Sequence, residues 1–307
     1  MSPAGRVCPL RYRYGAAALA SAPERSADTL YVVGGLYGNP PALTALMTLI
    51  TAEPGPVTLC FNGDFNWFNV DDAGFAAVNA AVLAHDAILG NVEAELQPEA
   101  DDAGCGCAYP PSVDAGVVER SNRIHARLKA TAARHPAVLA QLAALPMFAR
   151  YRVGDLRVGV VHGDADALAG WDFDAGRVDQ PTHREHLRQQ FAQAGVDVFA
   201  SSHTCLPVCR HFGDGLALIN NGAAGMPNFA GGRFGVVTRI STRHSPHPTL
   251  YGVRARGHAI DALALPYDHS RWMEEFVTNW PENTAASVSY TTRMCDGPAY
   301  DLNQARP

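Results

Sequence analysis

The chain has 307 residues and a formal net charge of −6 at pH 7, with 47% hydrophobic and 18% charged residues. This composition excludes global disorder and supplies enough apolar side chains for a sizeable buried core. No run of lysine and arginine exceeds two residues, so the charge gives no sign of a nucleic-acid backbone as partner.

The sequence also bears on the compartment. No apolar stretch reaches the roughly 20 residues needed to span a bilayer, and residues 1–22 lack the basic start and apolar centre of a signal peptide. Seven cysteines, an odd number spread along the chain, argue against a secreted disulfide framework. We therefore expect a cytoplasmic protein without membrane association. Nothing in the sequence indicates an oligomeric state.

The predicted elements alternate between strands and helices. The first 28 residues have no clear periodicity and are expected to be an N-terminal extension packed on the surface. Beyond them, short apolar runs predict strands, and apolar residues at helical spacing predict helices. In chain order these are strand 30–33, helix 41–50, strand 57–61, helix 74–83, strand 87–89, helices 112–132 and 136–145, strands 147–153 and 156–161, helix 182–194 and strand 196–200.

The later part of the chain is richer in strands, which are predicted at 207–212, 216–219 and 234–240. A second sheet is therefore expected to pack on the first. Residues 244–307 are less regular, with one helix at 269–279, and are expected to form a C-terminal tail packed on the domain of residues 29–243. The alternation predicts an α/β fold whose working residues gather at the carboxyl ends of strands.

Five strand ends carry polar residues. They are GGLYGN (34–39), GD (63–64), GNVE (90–93), HGD (162–164) and SHTC (202–205). This set contains one carboxylate, one carboxamide and two imidazoles that suit a divalent ion of the Mn, Fe, Zn or Ni type. These residues are Asp64, Asn91, His162 and His203. Taken singly, the Asp and Asn could equally be turn residues, and each His could be a buried structural residue.

The order of these motifs resembles the calcineurin-like metallophosphoesterases, especially the small bacterial phosphodiesterases and phosphatases. The resemblance covers about residues 30–240, and NNGAAGMP (220–227) also looks like a loop of the smaller bacterial members. It implies a four-layer αββα sandwich of two mixed sheets in one domain. It also implies metal-dependent hydrolysis of a small phosphorylated substrate, either a phosphomonoester or a phosphodiester.

The resemblance implies two metal ions, and their ligands are unevenly retained. One ion keeps its whole set, which is Asp64, Asn91, His162 and His203. The three positions private to the other ion hold Gly35, Tyr37 and Cys205 in place of one Asp and two His. Random decay would scatter over both sets. We therefore expect one bound ion, or an altered site, rather than the usual pair.

The proton donor is also missing. The histidine that the family uses for this role corresponds to Val92, which cannot transfer a proton. In the helix that follows, Arg123 could contact a phosphate and His125 could replace the acid. A solvated helix face explains both residues equally well. The catalytic acid is therefore unassigned by the sequence.

Cys105 and Cys107 lie in a GCGC segment that interrupts the α/β pattern at 99–111. The simpler interpretation is a loop with small buried thiols. The alternative places Cys205 beside them in a thiolate site that would favour zinc or another soft ion, with Tyr37 adding a phenolate. A reversible disulfide is a further form of this alternative, which requires the three sulfurs to converge to within about 4 Å.

Two functions from different classes follow. The first is phosphoester hydrolysis with one catalytic ion, which the intact four-ligand set favours. The second is a non-catalytic protein that binds a phosphorylated ligand or a structural metal, which Tyr37 and Val92 favour.

Overall fold

The structure is a computed structural model that describes residues 3–97 and 103–307. The first residues of the predicted 99–111 loop, up to position 102, lie outside this description. The strands are β1 (Glu24–Ala27), β2 (Thr29–Val33), β3 (Val57–Phe61), β4 (Asp86–Ala87), β5 (Phe148–Val153), β6 (Leu156–Val161), β7 (Val198–Ser201), β8 (Val208–Gly213), β9 (Leu216–Asn220), β10 (Gly235–Ser241), β11 (Thr249–Ala255) and β12 (His258–Leu265).

The α-helices connect these strands and cover the sheets. They are α1 (Ala16–Ala20), α2 (Pro40–Ile50), α3 (Asp72–Val82), α4 (Asn91–Ala94), α5 (Ala115–Ala132), α6 (Pro136–Ala143), α7 (Pro181–Ala194), α8 (His269–Asn279), α9 (Ala285–Asp296) and α10 (Leu302–Ala305).

The described strands form two mixed sheets of six strands each. One has the order β1-β5-β6-β7-β9-β8, and the other has the order β11-β12-β10-β2-β3-β4. In the second sheet, β2, β3 and β4 are parallel, whereas β10 runs antiparallel to β2. The first sheet likewise joins β6, β7 and β9 in parallel and adds antiparallel β5 and β8 at its two sides.

The core is arranged in layers because successive side chains of a strand point to opposite faces. In β2, Leu30 and Val32 pack between the two sheets, against residues such as Val158 of β6. Tyr31 and Val33 of the same strand face the helices outside the second sheet. A separate apolar cluster joins α1 and α7 to the outer face of the first sheet. The predicted αββα sandwich is therefore confirmed.

Local chemistry explains where several helices begin. Asn39 lies just before α2, and its Oδ1 accepts the Ala42 N–H at 2.9 Å, while Pro40 occupies the first helical position. Such side-chain caps satisfy backbone donors that have no partner in the first turn. Asp268 caps α8 in the same way by accepting the Arg271 N–H. The helix predicted at 269–279 coincides with α8.

The two ends of the chain differ from the expected extension and tail. Before residue 29, β1 pairs in parallel with β5, and Leu19 is fully buried. After residue 243, β11 and β12 extend the second sheet beyond β10. Helices α8 and α9 then pack on that sheet's helical layer through Trp272 and Met294. Both ends thus belong to the sheets and layers of the sandwich.

Within the residues that the structure describes, no helix combines the length and apolar character required to cross a bilayer.

Candidate metal centre

Strand ends from both sheets bring the four candidate ligands together. Asp64 follows β3 of the second sheet, and Asn91 begins α4 shortly after β4. His162 directly follows β6 of the first sheet, and His203 lies two residues beyond β7. All four side chains are buried. We refer to these four residues as the ligand cluster.

Backbone carbonyls fix the protonation of both imidazoles on their outer side. His162 Nδ1 lies 2.8 Å from the Asn62 carbonyl oxygen, and His203 Nε2 lies 3.1 Å from the Cys107 carbonyl oxygen. A carbonyl oxygen can only accept, so each of these ring nitrogens carries the hydrogen. When the rings are neutral, His162 Nε2 and His203 Nδ1 therefore present lone pairs, and these two atoms are only 3.1 Å apart.

The carboxamide and the carboxylate add two more acceptors at the same point. Asn91 Nδ2 donates to the Cys105 carbonyl oxygen at 2.8 Å, which turns its Oδ1 toward His162 Nε2 at 3.0 Å. Asp64 Oδ1 lies 3.3 Å from the same nitrogen and also accepts the Val92 N–H at 3.2 Å. Two oxygens and two nitrogens thus converge on one another with their lone pairs.

Such a convergence of acceptors is unfavourable unless a positive charge lies between them. A divalent cation meets this need, and outer hydrogen bonds from ligating imidazoles to carbonyls are the usual means of orienting metal ligands. The ligand atoms of Asp64, His162 and His203 all lie within 4.8 Å of one another. No other group of three His, Cys, Asp or Glu residues meets this condition in the described ranges 3–97 and 103–307. The donor set therefore fits one ion.

The electrostatics of the cluster favour the metal-binding forms of Asp64 and His203. For His162, the burial that opposes protonation is outweighed by the neighbouring Asp64, which raises its pKa. Burial opposes ionisation of Asp64, but His162 and His203 beside it and the Val92 N–H lower its pKa below the usual value. Burial, followed by the neighbouring His162, lowers the pKa of His203 to about 3. His203 is therefore neutral over the physiological range, and Asp64 is ionised.

Glu93 holds the backbone on which Asp64 sits. Its carboxylate accepts N–H groups from Asp64 at 2.8 Å, Asn66 at 3.1 Å and Gly90 at 3.3 Å. A Cβ on Gly90 would lie 2.3 Å from Asp64 Oδ1, so only glycine allows this approach. Glu93 and Gly90 both belong to the GNVE motif, but sequence reasoning assigned a role only to its Asn.

The three substituted positions also meet in the structure. Tyr37 Oη lies 3.0 Å from Cys205 Sγ. A Cβ on Gly35 would lie 2.9 Å from the Tyr37 ring, and Gly35 has φ +65°. Burial raises the pKa of both the Tyr37 phenol and the Cys205 thiol. These positions therefore present neutral groups that satisfy one another, which does not support the predicted phenolate and thiolate ligands.

The GCGC segment contacts the ligand cluster mainly through its backbone, and Cys107 Sγ also accepts from Asn91 Nδ2 at 3.5 Å. The carbonyl oxygens of Cys105 and Cys107 accept from Asn91 and His203, as described above, and that of Cys107 also accepts from Trp171 Nε1 at 3.0 Å. All three thiols are free. Together with Cys205 they do not form a group within 4.8 Å among the described residues. The convergence of three sulfurs that the alternative interpretation requires is therefore absent among the described residues, in line with the simpler interpretation.

A cavity of about 180 Å³ opens onto the ligand cluster. Its walls are largely aromatic and include Trp67, Tyr109, Trp171 and Tyr290, with Arg293 of α9 as a cationic side chain. A water molecule occupies roughly 30 Å³ in the liquid, so the cavity admits a phosphoryl group with a small substituent.

The two further residues suggested by the sequence do not line this cavity. Arg123 is exposed on α5. His125 is buried behind the cavity wall, with Nε2 3.0 Å from the Val92 carbonyl oxygen. Burial lowers its pKa to about 4, so it is unprotonated at neutral pH. Neither residue takes the role that the sequence suggested.

Sequence reasoning missed Arg293 and the aromatic wall. Arg293 lies 88 residues beyond Cys205 in the region expected to be a tail. Only the packing of α9 against α5 and the strand-end loops brings it to the cavity. No local motif marks it.

Comparison with known proteins places this geometry in a known fold. No family description matches the chain, and no curated protein matches it. Hypothetical protein PH1004 from Pyrococcus horikoshii OT3 has a similar solved structure, with a TM-score of 0.59 and 14% identity over 89% of this chain and 99% of that one.

A metallophosphoesterase from Sphaerobacter thermophilus is similar to nearly the same extent. Its structure gives a TM-score of 0.55 with 16% identity, over 88% of this chain and 99% of that chain. The chain therefore has the calcineurin-like metallophosphoesterase fold, as the motif order predicted.

Proposed function

We propose that the protein is a phosphoester hydrolase that uses one divalent ion held by the ligand cluster. The observation that carries this proposal is the convergence of three acceptor atoms on a fourth, His162 Nε2, at 3.0 to 3.3 Å, with the outer ring nitrogens already bound to carbonyls. An ion in this position polarises a phosphoryl oxygen and makes water nucleophilic near neutral pH.

The chain's own residues orient and enclose the reacting group. Trp171 packs edge-on against His203 with ring centroids 5.3 Å apart and donates to the carbonyl that also binds His203. It thereby holds this imidazole in place and covers one side of the cavity. The aromatic walls reduce the access of water, which strengthens electrostatic interactions with the phosphoryl group.

The proton donors at the cavity are weak. Val92 lines it where the family has a histidine, and burial raises the pKa of the Tyr109 and Tyr290 phenols and of the Cys107 thiol. A substrate whose leaving group needs little protonation, such as a phenol of low pKa, therefore suits this site better than an alkyl phosphate.

Turnover of para-nitrophenyl phosphate and its bis-ester in Mn, Ni, Zn and Mg tests the proposal. We expect hydrolysis that requires added metal and is lost in Asp64→Asn, which removes the charge of a ligand while keeping its shape. Asp214→Asn, at an exposed aspartate in the β8–β9 turn, is the matched control and should retain full activity. Activity that persists in Asp64→Asn would contradict the proposal.

The non-catalytic alternative has its own supporting observation, because both Val92 and the Tyr37–Cys205 contact depart from a hydrolytic site. It is distinguished by the same protein preparations. A chain that binds metal, and is further stabilised by inorganic phosphate, but hydrolyses neither ester would be a binding protein.

A further inference from the structure

Arg293 reaches the cavity from α9 and is held there by two neutral acceptors. Its Nη2 donates to the Cys205 carbonyl oxygen at 2.7 Å, and its Nε donates to the Pro227 carbonyl oxygen at 3.3 Å. Within residues 3–97 and 103–307, no carboxylate lies at ion-pair distance from it. The half-buried guanidinium therefore keeps its full positive charge beside the cavity.

A guanidinium has five N–H donors in a planar fork, and the two bonds to carbonyls use only two of them. The remaining donors are free to bind an anion. Arg293 is also the one lysine or arginine among the described residues that line this cavity. The carbonyl that fixes its position belongs to Cys205, one of the substituted positions.

The balance of charges at the site indicates the role of the Arg293 guanidinium. One divalent ion brings two positive charges, and Asp64, the carboxylate that lines the cavity, brings one negative charge. A phosphodiester carries one negative charge, so it is balanced by the ion alone. A phosphomonoester dianion carries about two negative charges at neutral to basic pH and leaves one in excess. The positive charge of Arg293 balances that excess.

We infer that Arg293 binds the non-bridging oxygens of a phosphomonoester dianion and makes the site select monoesters over diesters. This inference rests on the proposed function, since it assigns the second cationic contact in a site with one metal ion. Arg293 takes no part in proton transfer. It binds the phosphoryl group and holds it against the ion.

The test compares Arg293→Met and Arg293→Lys with the native protein, all loaded with Mn. Arg123→Met, at an exposed arginine outside the cavity, is the control. Binding of inorganic phosphate at about pH 8, where the dianion dominates, is measured by calorimetry. The ratio of kcat/KM for para-nitrophenyl phosphate to that for its bis-ester is measured in parallel.

We expect Arg293→Met to weaken phosphate binding by about 10- to 100-fold, as for loss of a hydrogen bond to a charged group. The monoester to diester ratio should fall by a similar factor, and Arg293→Lys should restore part of it. Arg123→Met should change neither quantity. Since Arg293 also ties α9 to the Cys205 loop, a purely structural role would lower both esters equally and leave the ratio unchanged.

Each remaining outcome is decisive. If Mn binds but inorganic phosphate binds equally to the native protein and Arg293→Met, or to neither, the inference is wrong while the proposed function stands. If Mn does not bind, the proposed function fails, and the inference that rests on it fails too.

Discussion

The ligand cluster and the substituted positions lie side by side, but their polar groups find partners in opposite ways. In the ligand cluster, four lone-pair-bearing atoms face one another, and their donors are turned outward to backbone carbonyls. At the substituted positions, a phenol and a thiol lie 3.0 Å apart, and the thiol also donates to the His203 carbonyl oxygen at 3.2 Å. The first region presents acceptors that a cation would satisfy, whereas the second pairs its polar groups within the chain itself.

This contrast teaches that the loss of ligands at one site need not weaken its neighbour. The Tyr37 ring lies over Gly35 and fills the space where the resemblance implies a metal-binding carboxylate. Asp64 stays in place through contacts within the chain, because Glu93 accepts its backbone N–H and its own Oδ1 accepts the Val92 N–H.

The strongest test of the contrast is removal of one imidazole from the ligand cluster. His203→Ala should abolish metal binding and with it the stabilisation by metal. For the native protein, this stabilisation should be about 2.7 kcal/mol when free metal is about 100 times its Kd. Thermal unfolding with and without metal measures it. His211→Ala, at an exposed histidine of β8, should keep the full shift. An undiminished shift in His203→Ala would mean that this residue is structural.

The next test asks whether the substituted positions account for the missing ion. Elemental analysis should find one ion per native chain. The triple variant Gly35→Asp, Tyr37→His and Cys205→His should bind two, because removal of the Tyr37 ring clears space for an Asp side chain and the φ of +65° is one that Asp tolerates. Two ions in the native chain, or one in a folded triple variant, would contradict the view that only the ligand cluster binds an ion and that the three substitutions prevent a second.

A smaller effect is expected from the residue that supports Asp64 without touching the ion. Glu93→Gln replaces a carboxylate that accepts three backbone N–H groups with an amide that offers one acceptor. We expect a loss of about 1–3 kcal/mol in the free energy of unfolding, together with weaker metal binding. Denaturant unfolding of the metal-free protein isolates the first effect. Glu275→Gln, which makes the same substitution at a partly exposed glutamate of α8, is the matched control.

The smallest effect concerns the cysteines. Because the GCGC segment supports the ligand cluster mainly through its carbonyl oxygens, and a serine oxygen can accept from Asn91 as Cys107 Sγ does, Cys105→Ser should leave metal affinity within about twofold of the native value. Cys107→Ser should behave alike. Metal titration of both variants checks this expectation. A loss of metal binding in either variant would instead indicate that a thiolate of this segment is a metal ligand.

The sequence could predict the fold because the strands that build the sandwich are short, apolar and buried on both faces. The predicted strands 57–61 and 156–161 coincide with β3 and β6. The edge elements could not be found in this way. The four residues of β1 are mostly exposed and polar, and their position is set by pairing with β5 rather than by any pattern of their own.

Local sequence also failed to predict the C-terminal strands and one residue of the site. β12 is rich in Ala and Leu, which are strong helix formers, so its local preference opposed the strand that its ladder with β10 imposes. The ligand cluster was predictable because each member follows a strand, and the carboxyl ends of parallel strands lie at the same edge of a sheet. Arg293 was not, because its position depends on how a distant helix packs.

The backbone around the cavity lowers the folding stability of the chain, because several of its residues have left-handed φ angles. Tyr37, Asp64 and Cys205 have φ of +55°, +54° and +60°, and they are three of seven non-glycine residues with left-handed backbone in the described chain. Glycine would adopt these angles without the penalty that a Cβ brings, about 1 kcal/mol or more each. Selection for stability alone would therefore drive these positions toward glycine. Backbone strain of this kind is typical of active sites and ligand-binding corners, so the side chains at these three positions place a cost in folding stability beside the cavity.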